Sequence, residues 1–337
     1  MRIVSKAPCR IDLAGGTLDI WPLYLNHPGA VTVNFAVDRY TTCSLETHPA
    51  DHIELCSKDL KLGEAFPSLA DLRRTAKPKL PLLAHVLRFF GAPSGLSMHT
   101  NSEAPAGAGI SGSSALIIAI ASALNRLNQS RYTTEKIREI SQNVEAQIIR
   151  VPTGCQDYYP AMYGGMNVLE LGPAGIRRSA IPVDLDDFNE RIVLAFTGEP
   201  RNSGINNWEV TKAYIDGDRA VQRNFDRISA IAIAMRAAVE QGAWTEVGRL
   251  LREEWTNRRK NAPGITTPLI DELVRVSRKS GALGAKVCGA GGGGCVFFLV
   301  ERGARERVSQ VIAAAGGTVL PVKVARRGVQ VKVLQPD

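Results

Sequence analysis

At 337 residues the chain is long enough for two domains, each around a core of its own. Its 45% hydrophobic and 22% charged content is that of an ordinary globular protein, and its longest largely apolar run, Ala115 to Leu124, falls far short of the roughly 20 residues that span a bilayer. The net charge of +8 suits an anionic small molecule, whereas the basic residues are dispersed, with Arg258-Arg259-Lys260 the largest cluster, and lack the interleaved aromatics that nucleic-acid binding uses.

Met1 to Lys6 shows no apolar signal segment, so a cytoplasmic protein without membrane attachment is expected. The six cysteines, at 9, 43, 56, 155, 288 and 295, form no Cys-x-x-Cys pair, and Cys9, Cys155, Cys288 and Cys295 read as small buried packing residues. Of the histidines, only His48 and His52 have a metal-like spacing, and they flank a proline loop that reads as exposed surface.

In chain order, residues 2–5 and 8–13 read as strands, followed by the turn Ala14-Gly15-Gly16. Two β-branched strands are expected at 30–37 and 41–46, separated by Asp38-Arg39-Tyr40. An apolar helix from Pro81 to Phe90 stops at Gly91, and an alternating strand at 96–100 feeds a glycine-rich stretch, Pro105 to Ala115. Here Gly107, Gly109 and Gly112 let the backbone expose successive amides. Ser113 and Ser114 then stand at the start of a helix that is apolar on every face, and such a helix is buried.

Its N-terminus offers unpaired amides and the positive end of a dipole, where an anion belongs. The stretch lacks the Gly-Lys-[Ser/Thr] ending of a Walker loop, so a hydroxyl-held magnesium ion is the natural counter-charge. A glycine turn serving only close helix packing is the plainer alternative.

A second helix opens at Thr133 or Thr134, carries Ile137, Ile140, Val144 and Ile148 on one stripe, and ends before Pro152. Glu145 lies beside that stripe, where it reads equally as a surface carboxylate. Asp157 stands in an otherwise uncharged stretch from Val151 to Asn167, the setting of a positioned, partly buried acid.

Strand and turn character follow to about Pro182, and the acidic connector Asp184 to Asp187 marks a boundary that divides the chain into domains of residues 1–185 and 186–337. Beyond it the pattern predicts a strand at 191–197 and a polar loop at 198–204. Helices over 208–260 are broken near Asp216-Gly217-Asp218 and Gly242, with Trp208, Trp244 and Trp255 as core. A helix from Thr267 ends at Gly281, and the glycine-rich Gly289 to Gly294 joins two strands. A helix at 302–315 and strands at 318–324 and 329–334 complete the chain.

Taken together, Ala7-Pro8-Cys9-Arg10-Ile11, Ala14-Gly15-Gly16, the Pro105 to Ala115 stretch as a phosphate cradle, Gly154-Cys155-Gln156-Asp157-Tyr158-Tyr159 and Gly289-Ala290-Gly291-Gly292-Gly293 resemble the motifs of the GHMP kinases, the family of galactokinase, homoserine kinase, mevalonate kinase and phosphomevalonate kinase. The resemblance covers nearly the whole chain, and within the family it points to the sugar kinases of the bacterial heptose-7-phosphate kinase branch. It implies an α+β two-domain GHMP kinase fold, with an N-terminal ribosomal-protein-S5-domain-2-like domain and a C-terminal ferredoxin-like α/β domain.

The resemblance also implies roles. Pro105, Gly107, Ala108, Gly109, Ser111, Gly112, Ser113 and Ser114, with Gly291 and Gly292, would bind ATP, and Ser113 with Glu145 would hold Mg2+. Asp157 would take the acceptor proton, with Arg10 beside it. Gly16, Thr17 and Asp19 would bind the sugar, and Arg201 in the polar loop would read a substrate phosphate or be a solvated charge.

The chain departs from the family pattern at Leu18, which stands where the sugar kinases carry a threonine, and the Glu and His of galactokinase are missing, which argues against galactose. The expected activity is ATP-dependent phosphorylation of a sugar hydroxyl, chiefly the anomeric 1-OH of D-glycero-D-manno-heptose 7-phosphate. A free-sugar kinase, a kinase of a mevalonate-type alcohol and a non-catalytic sugar sensor remain alternatives, and homodimerisation is left open.

Overall fold

The computed structural model of the protein describes residues 1–92, 95–200, 203–260 and 264–334, and for 203–207 the backbone alone. The chain opens with β1 (Arg2–Ala14) and, after a short 3-10 turn, β2 (Val31–His48). A hairpin of β3 (Ile53–Ser57) and β4 (Leu62–Phe66) leads through α1 (Leu69–Arg74) and α2 (Pro81–Phe90) to β5 (Gly95–Ser102). Three helices follow, α3 (Gly112–Leu127), α4 (Thr134–Ile149) and α5 (Tyr158–Tyr163), and then β6 (Met166–Gly172) and β7 (Gly175–Ala180).

After α6 (Leu185–Asn189) come β8 (Ile192–Phe196), α7 (Ser203–Ile215), α8 (Arg219–Glu240), α9 (Trp244–Arg258) and α10 (Pro268–Lys279). The described chain ends with β9 (Ala282–Val287), β10 (Cys295–Val300), α11 (Arg305–Ala314), β11 (Thr318–Leu320) and β12 (Gln330–Leu334).

The first sheet runs β12-β1-β2-β5-β3-β4, with β6 also on β2 and β7 on β6. The long β2 makes this possible: its first half pairs with β6 and its second half with β5, while β1 lies along the opposite edge. The expected strands at 2–5 and 8–13 are one strand, and so are those at 30–37 and 41–46. The register of β1 on β2 shifts between Pro8 and Cys9, opposite Asp38 and Arg39. A bulge there tolerates a proline, which has no N–H to give, and the polar bulge residues mimic a turn in the sequence.

The two helix starts expected at threonines hold, since Thr133 caps α4 through the Lys136 amide and Thr267 caps α10 through the Ile270 amide. The strand expected at 318–324 stops at Leu320, before Pro321.

The helix α3 is the packing centre. It is buried from Ser114 to Leu124 and lies against β1 and β2. Ile117, Ile118, Ile120 and Leu124 are fully buried, each contributing about 1.5–3 kcal/mol relative to exposure.

The second sheet, β11-β8-β10-β9, is antiparallel throughout. In chain order this is fourth-first-third-second with helices between, the ferredoxin-like arrangement that was expected. The central strand β10, Cys-Val-Phe-Phe-Leu-Val, is buried along its whole length. Phe297 of β10 meets Phe35 of β2 edge-on, with ring centroids 5.6 Å apart, so the two sheets share a core.

Candidate active site

The segment after β5 is fastened to β1 by its backbone. The Arg10 amide donates to the Ile110 carbonyl at 3.0 Å, and Arg10 Nη1 reaches the Gly109 carbonyl at 3.2 Å. Gly107 and Gly109 take positive φ, as does Ser111, the residue that opens α3. Ser111 gives α3 no side-chain cap, and its Oγ is buried without a hydrogen-bond partner.

The serines that follow do not cap the helix either. Ser113 Oγ donates to Glu145 Oε1 at 2.7 Å, Ser114 Oγ to Oε2 at 2.8 Å, and Tyr158 OH to Oε2 at 2.6 Å. The first turn of a long buried helix thus faces the cleft uncapped, as an anion site requires. Glu145 is itself buried and not a surface carboxylate; burial raises its pKa, and the three hydroxyls oppose the shift.

Arg10 and Asp157 meet beside this cradle. Arg10 Nε and Nη2 donate to Asp157 Oδ1 at 2.8 and 2.6 Å. Burial works to lower the Arg10 pKa, but the charges of Asp157 and Asp12 outweigh it and leave the guanidinium above its ordinary value. Asp157 is 22% exposed, enough to meet a ligand.

Asp19 stands on the other side, buried, with Oδ2 accepting the Gln156 amide at 2.8 Å and Oδ1 the Gln156 side-chain amide at 3.3 Å. Burial, then the nearby charge of Asp157, push its carboxyl up to about 7, against the Gln156 amide and Arg10. Gly154 permits this contact, because a Cβ there would lie 2.1 Å from Asp19 Oδ2.

Leu18 points away from the site, fully buried in an apolar cluster with Leu23, Cys155 and Tyr159. The departure from the family pattern therefore leaves Thr17, Asp19 and Ile20 to line the cleft.

A cleft of about 450 Å3 brings together Arg10, Thr17, Asp19, Pro105 to Gly109, Ser111 to Ser113, Glu145 and Asp157. Ser114 is drawn off to Glu145, and Gly16 stands against Arg258, Asp12 and Gln156 outside the lining. Of the C-terminal glycine stretch, Gly289 and Ala290 line the cleft, whereas Gly291 and Gly292 pack on Ile265 and Gly264. The stretch is tied to the cradle through the Cys295 amide, which donates to the Ala108 carbonyl at 2.7 Å. Arg201 lies outside the described residues.

Among the described residues no cluster of three His, Cys, Asp or Glu side chains could hold a metal unaided. The Ser113 hydroxyl and Glu145 carboxylate are nonetheless hard oxygen donors next to an anion site, the donor set that suits Mg2+ bound largely through phosphates and water.

Sequence reasoning missed Arg258. It stands in the largest basic cluster of the sequence, Arg258-Arg259-Lys260, yet it is buried and lines the cleft. Its partners Asp12, Glu254 and Lys286 were missed too. A lone lysine in the apolar strand Ala-Leu-Gly-Ala-Lys-Val was the available signal. Trp208, expected in the core, is 43% exposed, while Trp244 and Trp255 are buried.

Two family models match the sequence. The model described as GHMP kinases N terminal domain matches residues 78–165, and that described as GHMP kinases C terminal matches 235–318, together just over half of the chain. The chain belongs to the GHMP kinase family. It is an ATP-dependent phosphotransferase with an alcohol group as acceptor.

The GHMP kinase is 24% identical over 339 residues to D-glycero-alpha-D-manno-heptose 7-phosphate kinase of Campylobacter jejuni, across 97% of this chain and 98% of that protein. It is 25% identical over 364 residues to mevalonate kinase of Thermococcus onnurineus, across the full length of both. The crystal structure of a D-glycero-D-manno-heptose 1-phosphate kinase from Bacteriodes thetaiotaomicron shares its fold, with a TM-score of 0.79 at 24% identity over 99% of this chain and 100% of that one. No helix among the described residues is long and apolar enough to cross a membrane.

Proposed function

We propose that this GHMP kinase phosphorylates a sugar hydroxyl, the anomeric 1-OH, and that D-glycero-D-manno-heptose 7-phosphate is the acceptor it fits best. The observation that carries the sugar reading is the buried Asp19 carboxylate beside Asp157 in one cleft. A carboxylate accepts two adjacent hydroxyls of a pyranose, which a single neutral acceptor does not. The full-length likeness to the Campylobacter jejuni kinase supplies the heptose.

In this reading Asp19 holds the acceptor while the cradle and the first turn of α3 hold the ATP phosphates. Asp157 takes the proton of the attacking hydroxyl as its oxygen bonds to the γ-phosphorus and ADP leaves. Arg10 orients Asp157 through its two hydrogen bonds to Oδ1 and steadies the charge on the transferring group. Ser113 and Glu145 would hold Mg2+, which when bound neutralises charge on the phosphates.

The full-length match to a mevalonate kinase favours one second reading, a mevalonate-type alcohol as acceptor. Coupled ADP release with Mg-ATP, against free hexoses and heptoses, their terminal phosphates and mevalonate, separates the two. Turnover on a heptose phosphate supports the proposal, and turnover on mevalonate alone refutes it.

A further inference from the structure

Behind the acceptor loop lies a buried ionic cluster that the mechanism above does not use. Asp12, two residues beyond Arg10 on β1, receives Lys286 Nζ at 2.6 Å and Arg258 Nη1 at 3.1 Å on Oδ2, and its Oδ1 faces Arg10 Nη1 at 3.5 Å. Glu254, one helical turn before Arg258 on α9, takes the same Arg258 and Lys286 on Oε1, each at 3.1 Å. Lys286 and Glu254 are wholly buried.

With Asp157 on the far side of Arg10, three cations face three carboxylates and their charges cancel. Burial alone would raise the Asp12 pKa, but Lys286, Arg258 and Arg10 hold it far below the usual carboxylate range.

Arg258 is the member of this cluster that reaches the cleft. Its Nη2 donates to Thr17 Oγ1 at 3.0 Å, and Arg258, Thr17 and Asp19 share the same wall. Gly16 makes room for the approach, since a Cβ there would stand 2.7 Å from Arg258 Nη1, 2.8 Å from Asp12 Oδ2 and 2.9 Å from Gln156 Nε2. A guanidinium Nη2 carries two hydrogens, so one remains beyond the bond to Thr17.

Building on the sugar-kinase reading, we propose that Arg258 is an acceptor-binding and specificity residue. Its Nη2 donates to an uncharged oxygen of the acceptor, and this end of the cleft admits uncharged hydroxyl-bearing carbons while any phosphate on the acceptor lies away from it. The Arg258 charge is already matched by two carboxylates, so an anion placed here would remain buried without a counter-charge. A hydroxyl needs only the hydrogen bond. The cluster thus holds the guanidinium still and takes away its preference for anions.

Two variants test this: Arg258→Lys, which keeps the ion pairs but loses the planar fork, and Arg258→Gln with Glu254→Gln, which removes one charge of each sign. Thermal melts verify that each folds. Coupled ADP release with Mg-ATP then gives KM for ATP and for each acceptor, using free aldoses and the same sugars as terminal phosphates.

The expected result is a rise in acceptor KM of about ten- to a hundredfold with KM for ATP nearly constant, the loss expected for a hydrogen bond from a charged donor. The rise should be the same for free and phosphorylated acceptors. An unchanged acceptor KM overturns the proposal, and so does a loss confined to phosphorylated acceptors, which would make Arg258 a phosphate reader. A wild-type enzyme that turns over none of the sugars refutes the sugar-kinase reading itself, and this inference with it.

Discussion

Arg10 grips Asp157 by one oxygen. Nε and Nη2 both converge on Oδ1, at 2.8 and 2.6 Å, and among the described residues no donor reaches Oδ2. The carboxylate is therefore oriented by one oxygen and open at the other, the arrangement a proton acceptor needs. Asp157→Asn should lower kcat by about 10²–10⁴ with ATP affinity kept. Steady-state kinetics beside nucleotide titration checks this, and full activity of the variant would remove Asp157 from the mechanism.

Asp19 gives the protein a pH dependence of defined sign. Its carboxyl is pushed up to about 7 by burial and by Asp157. A group whose folded pKa lies above its unfolded value contributes stability that is whole below the ordinary carboxylate range and is lost as pH rises through the folded pKa. The wild-type Tm should therefore fall between about pH 5 and about pH 8 by more than that of Asp19→Asn. Parallel melting curves for the two proteins would contradict the assignment. Asp19→Asn should also raise the acceptor KM, because an amide offers hydroxyls one acceptor oxygen where the carboxylate offers two.

Gly154 and Asp19 form a steric pair. A Cβ at 154 would stand 2.1 Å from Asp19 Oδ2, and the glycine backbone itself is not in the left-handed region. Gly154→Ala should cost about 1–3 kcal/mol, the usual scale of overpacking. Adding Asp19→Ala should recover most of that stability without recovering acceptor binding. Equal melting temperatures of the single and double variants would show that the strain lies elsewhere.

The hydroxyl-bonded Glu145 yields a metal prediction. Glu145→Gln should raise the Mg2+ concentration needed for half-maximal turnover by about 10–100-fold, the scale seen when a metal site loses such a group. Chelation should stop the wild-type enzyme reversibly. A Mg2+ curve identical to that of wild type would exclude Glu145 as a ligand.

Much of this architecture was legible in the residues, and what was not has physical causes. The cradle was readable because glycines at positive φ followed by an all-apolar helix have few other uses, and the caps at Thr133 and Thr267 follow local chemistry. The bulge at Pro8 looks like a break because the unpaired residues Asp38 and Arg39 opposite it resemble a turn. The hairpin of β3 and β4 escaped because its second strand is short and mostly solvent-facing. The helix α5 spans six residues and contains Pro160, too little for a periodic signal. Lys286, Arg258, Glu254 and Asp12 escaped because their pairing joins residues up to 274 positions apart. Sequence spacing carries no trace of such a contact.

In the proposed reaction this cleft moves the γ-phosphoryl group of ATP to a sugar hydroxyl through Asp157. The most direct test incubates γ-labelled ATP and Mg2+ with D-glycero-D-manno-heptose 7-phosphate and follows the label. Label should appear on the sugar 1-oxygen with the wild-type enzyme, and transfer should be slower by about 10²–10⁴ with an Asp157→Asn variant that binds ATP equally well. Undiminished transfer by that variant, or label that never leaves ATP for any sugar offered, would contradict this proposal.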